Sequence, residues 1–111
     1  MKVLIVDDDF SQYTEVLQYN PQFTTSKQET FDALKKNSFD LLFVNTKFNE
    51  DFINKLREID AYVPIYLINP KNDGKGIIEY ASLIDGYFIN VDQIVSKIER
   101  LFRKQMYAYA R

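Results

Sequence analysis

The chain has 111 residues, 46% of them hydrophobic and 27% charged, with only three Gly and three Pro; this suits one domain over 1–111 and excludes two domains, a linker or a disordered tail. The absence of Cys and His removes disulfides, thiol nucleophiles, thiolate metal sites, the commonest general base and the commonest zinc ligand. From Val91 onward five basic residues face two acidic ones, so a formal net charge of −2 divides into a basic end and a body of net −5. Direct nucleic-acid binding is therefore not expected. The apolar runs are too short to span a bilayer and no charged leader precedes the first of them, so no membrane association and a cytoplasmic location are expected.

In chain order, Lys2-Val3-Leu4-Ile5-Val6 is a short β-branched run cut off by Asp7-Asp8-Asp9, which predicts a first strand. Phe10, Tyr13, Val16 and Leu17 recur at helical spacing up to Asn20-Pro21 and predict a short helix. Phe23-Thr24-Thr25 suits a strand near a sheet edge, and Ser26-x-x-Glu29 before Phe31, Ala33 and Leu34 is a capping-box signature opening a second helix. Leu41-Leu42-Phe43-Val44 is a third strand, and Phe52, Ile53, Leu56 and Ile59 mark a helix with Asn49 as its cap. Pro64 to Ile68 predicts the fourth strand, Ile77, Ile78, Ala81 and Ile84 the fourth helix, and Tyr87-Phe88-Ile89 the fifth strand. Ile94, Val95, Ile98, Leu101 and Phe102 outline a long amphipathic last helix, while Met106 to Ala110 fit either its continuation or a frayed end. Strands apolar on both faces, alternating with helices, predict an α/β fold: a doubly wound, five-stranded parallel sheet.

Such sheets bind ligands beyond the carboxyl ends of their strands. Those positions hold Asp7 and Asp8, then Asn45, Asn69 and Asn90. Adjacent carboxylates repel and cost stability unless a cation or a function uses them, which points to a divalent-ion site; the competing reading is that Asp8 or Asp9 only caps the first helix. Asp73-Gly74-Lys75-Gly76 lacks the remaining spacing of a phosphate loop and reads as a turn.

Through Val3-Leu4-Ile5-Val6-Asp7-Asp8-Asp9, Phe39-Asp40-Leu41-Leu42-Phe43-Val44 and Asp85-Gly86-Tyr87-Phe88, the chain resembles the receiver domain of two-component response regulators over essentially its whole length. The resemblance implies a flavodoxin-like (βα)5 fold, with Asp7 and Asp8 as the acidic pair that holds Mg²⁺. It puts Asn45 where the family has its phosphate-accepting aspartate. Asn69, or Ile68 in a register shifted by one, takes the place of a Ser or Thr, and Asn90 that of the lysine, with Val91 where a proline is usual. Of the five site positions Asp7, Asp8, Asn45, Asn69 and Asn90, the last three thus differ. An amide cannot attack a phosphoryl donor as a carboxylate does, and it removes a negative ligand from the ion site.

The expectation is a pseudo-receiver, not an enzyme, that needs no cofactor, holds Mg²⁺ at most weakly, and signals by phosphorylation-independent protein contact. Two alternatives stand beside it. One is a working phosphoacceptor of a phosphorelay, with Asp40 or Asp51 reaching the acidic pair; the other is a cation or small-ligand sensor using that pair. The resemblance further implies a protein partner or homodimer on the face of the fourth helix, fifth strand and fifth helix, with Ile77, Tyr80, Tyr87, Lys97, Arg100 and Lys104 as candidates. Tyr87 has a second reading, as an aromatic packed on its strand.

Overall fold

The computed structural model describes residues 2–7, 9–45, 50–68, 82–88 and 91–110. Expectations for Asp8, the Asn49 cap, Asn69, the turn at Asp73 to Gly76, the fourth helix at Ile77, Ile78 and Ala81, the interface candidate Tyr80, and Ile89 and Asn90 lie outside these residues; Ile84, expected in that helix, is non-helical and packs partly buried against the core just before the fifth strand. Five strands, β1 (Val3–Val6), β2 (Gln22–Thr24), β3 (Leu41–Asn45), β4 (Ile65–Ile68) and β5 (Gly86–Phe88), form one sheet in the order β2-β1-β3-β4-β5, every pair parallel. The expected doubly wound topology is therefore present.

The pleat explains how both faces are filled. Along β1 and β3 successive side chains point to opposite sides, and every one of them is buried. Leu4, Val6, Leu42, Val44, Ile65 and Leu67 pack on one face against helix α1 (Lys27–Lys36) and helix α2 (Glu50–Ile59). Val3, Ile5, Leu41, Phe43 and Ile68 pack on the other against Tyr13 and Val16 and against Ile94 and Ile98 of helix α3 (Val91–Ala110). Helix α3 is continuous to Ala110, which settles the open reading of the C-terminal residues; none of the described helices is long and apolar enough to cross a membrane.

Helix α1 begins as its sequence signature requires. The Ser26 hydroxyl accepts from the Glu29 N–H at 3.2 Å, but the reciprocal bond is moved one residue outward, the Glu29 carboxylate accepting from the Thr25 N–H and hydroxyl. The first predicted helix is corrected by the structure. Ser11–Tyr19 is a 3₁₀ segment with irregular geometry at Tyr13 (φ −104°, ψ 21°). Phe10, at its N-cap, makes no side-chain capping bond, and the Tyr13 hydroxyl is drawn to Asp7, so a tighter turn replaces the α-helical one. Asn20 ends the segment in the left-handed conformation at φ 57°, a geometry Asn tolerates better than most residues.

Candidate functional site

The strand order reverses at β1. The chain moves from β1 to β2 on one side, then places β3 on the other, which opens a crevice at the carboxyl ends of β1 and β3. Asp7 directly follows β1 and Asn45 ends β3, so the neighbouring parallel strands bring these two predicted site residues together. Asp7 is 0% exposed and Asn45 4%. The Asn45 Nδ2 donates to Asp7 Oδ2 at 3.0 Å; a carboxylate only accepts, which fixes the amide's orientation.

Two further donors reach the same oxygen, Gln12 Nε2 at 2.9 Å and the Tyr13 hydroxyl at 2.6 Å, while Asp7 Oδ1 accepts from the Asp9 N–H at 3.1 Å. Sequence reasoning missed Gln12 and Tyr13. Tyr13 has the right spacing for a core aromatic and is one, with 0% exposure, but its hydroxyl end belongs to the site. The available signal was a phenol and an amide one short turn beyond an acidic strand end, because a buried Tyr needs a partner for its O–H. Asp9 is not the cap, a position Phe10 holds; its carboxylate closes an Asx turn just before the segment, accepting from the Ser11 N–H at 3.0 Å and the Ser11 hydroxyl at 2.7 Å.

Burial, and then the adjoining Asp7 carboxylate, push the Tyr13 hydroxyl far above its ordinary pKa of 10.0. It therefore stays protonated and donates. In the unfolded chain this group loses its proton near pH 10, whereas in the folded chain it does not, so the stabilisation is complete below pH 10 and declines above it. Urea unfolding between pH 10 and 11.5 should show Tyr13→Phe losing less stability per pH unit than the parent, by about 1.4 kcal/mol. Equal slopes would mean that Tyr13 titrates normally in the fold.

Asp40, considered as a replacement acceptor, sits at the opposite end of β3, where its Oδ2 accepts from the Lys2 N–H at 2.7 Å. At roughly 3.3 Å per residue, the strand separates it from Asp7 by about 16 Å. Asp51 is exposed in the first turn of α2. Among the described residues no group of three or more His, Cys, Asp or Glu side chains is arranged to hold a metal.

Of the six partner-surface candidates, Tyr87, Lys97 and Arg100 line one open groove of about 680 Å³ between β5 and α3, and Lys104 is exposed farther along α3. Tyr87 is 46% exposed on a strand at the sheet edge, whereas its neighbour Phe88 packs partly against the core. The floor is aromatic, with Tyr66 stacked on Phe88 at 5.3 Å and Lys97 Nζ 5.0 Å from the Tyr66 ring centre. Gly86 permits this arrangement, since a Cβ there would lie 2.9 Å from Tyr66 Cε1.

No protein-family model matches the sequence, and no curated protein is similar enough to it to count as a relative. Solved structures decide the fold. The chemotaxis response regulator CheY4 of Vibrio cholerae superposes with a TM-score of 0.73 at 18% identity, covering 89% of this chain and 96% of that one. The receiver domain of the TMAO respiratory system response regulator TorR gives 0.74 at 18% identity, covering 93% and 97%. This chain has the receiver-domain fold. An atypical orphan response regulator with a phosphorylation-independent regulatory mechanism also matches the receiver-like chain, at a TM-score of 0.70 and 16% identity over 93% of this chain and 96% of that one.

Proposed function

We propose that this receiver-like chain is an atypical response-regulator receiver that signals through protein contact without being phosphorylated, has no catalytic role and requires no cofactor. The observation that carries the reading is Asn45. It ends the central strand beside Asp7, where the resemblance puts the phosphate acceptor, and its amide nitrogen is spent as a hydrogen-bond donor to that carboxylate. A carboxamide in that place offers no nucleophilic oxygen of carboxylate strength. The orphan regulator of the same fold gives a precedent for output without phosphorylation.

The partner surface in this reading is the groove beside β5, with exposed Tyr87 and the basic side chains Lys97 and Arg100 as the contacts that set partner choice; Lys104, Ile77 and Tyr80 remain candidates through the resemblance alone. The partner is a protein or a second copy of the chain. Incubation with acetyl phosphate and Mg²⁺ should leave the intact mass unchanged. An acid-labile phosphoryl adduct mapped to any aspartate would overturn the proposal.

A further inference from the structure

We propose that the Tyr13 hydroxyl, together with the Gln12 and Asn45 amides, takes the place of a divalent cation at Asp7, so that this carboxylate is closed without metal. The receiver resemblance implies Mg²⁺ at this position, and the residues around Asp7 do not fit it. Mg²⁺ demands near-octahedral coordination at about 2.0–2.1 Å and direct access to oxygen lone pairs. Asp7 Oδ2 already receives three donors, at 2.6, 2.9 and 3.0 Å, and Oδ1 a fourth at 3.1 Å. An ion entering at Oδ2 would have to displace groups that point N–H or O–H at it.

Those groups have no easy retreat. Tyr13 is wholly buried, its ring lies 6.0 Å from that of Phe23, and swinging its hydroxyl away would strand a buried donor. Asn45 sits on the central strand of the sheet. The same contacts fasten the 3₁₀ segment to β1 and β3, and its far end is tied to α3 by the Tyr19 hydroxyl donating to Glu99 Oε1 at 2.8 Å. The internal donors thus do structurally what a bound ion would do, at all times and without a ligand that could leave.

The inference rests on Asn45 being a lost acceptor, yet the two fail differently: Mg²⁺ uptake without an adduct counts against the tyrosine, and an adduct counts against the lost acceptor. Asn45→Asp adds a second carboxylate, and Mg²⁺ titration followed by amide shifts of β1 and β3 compares this variant with the double variant Tyr13→Phe, Asn45→Asp. The double variant should bind Mg²⁺ at least about tenfold more tightly, because its Oδ2 is released from the charge-assisted hydroxyl bond. Equal affinities would overturn the proposal. Should the double variant not fold, the parent protein decides: the protected Tyr13 hydroxyl proton should remain visible and unmoved at millimolar Mg²⁺, and its loss or displacement would overturn the proposal.

Discussion

Asp7→Ala should destabilise the fold by about 3–5 kcal/mol, a large part of the 5–15 kcal/mol typical of a domain. Two effects oppose each other at this residue. Removing one of several adjacent carboxylates relieves like-charge repulsion, which favours the variant. It also takes the acceptor from Tyr13, Gln12 and Asn45, two of which are buried, and each such bond to a charged group is worth about 1.5–3 kcal/mol before any water enters the space. The carboxylate of Asp9 is exposed and engaged with Ser11, so the repulsion it exerts on Asp7 is smaller than three lost charge-assisted bonds and the loss dominates. Urea denaturation in metal-free buffer measures it. A variant as stable as the parent, or more stable, would mean that Asp7 is kept for a ligand at the expense of the fold.

Arg57→Ala should cost about 2–3 kcal/mol, although Arg57 lies far from the Asp7 site. From the last turn of α2 its guanidinium donates to the carbonyls of Val63 at 2.6 Å, Leu83 at 2.8 Å and Ala61 at 3.3 Å. It also pairs with Asp85 Oδ2 at 3.1 Å, and that oxygen accepts from the Ile65 N–H at 2.8 Å. One side chain therefore holds the entries to β4 and β5. The ion pair by itself is weak, because Asp85 is 46% exposed and solvent screens it. The carbonyls carry the effect: they lose a charged donor from a side chain only 18% exposed. Arg57→Lys should recover less than half of the loss, since an ammonium lacks the planar fork that reaches several acceptors at once. The midpoint of urea unfolding, with amide exchange in β5, reads both variants; a loss below about 0.5 kcal/mol for Arg57→Ala would show the clamp to be incidental.

The layer structure was legible in the sequence because burial on both faces leaves a periodic mark. Val3 to Val6 and Leu41 to Val44 are apolar without interruption since each strand is covered twice, and Ser26 with Glu29 announces α1 because a cap is a local bond. Strand limits fell within a residue: β2 runs from Gln22 where Phe23 was expected, and β5 from Gly86 where Tyr87 was. Asp7 and Asn45 could likewise be placed at strand ends from the run of residues before them. What they bond to was decided only by the fold. Tyr13 and Leu17 carry the same helical period, yet one is buried with its hydroxyl on Asp7 and the other is exposed, and the pull of that hydroxyl belongs to a 3₁₀ turn that periodicity read as an α-helix. The bonds from Arg57 to Leu83 and Asp85 and from Asn45 to Asp7 join residues 26, 28 and 38 positions apart. Hydrophobic period specifies which side of an element is covered; the choice of polar partner depends on distances between elements, which exist only once the sheet has assembled.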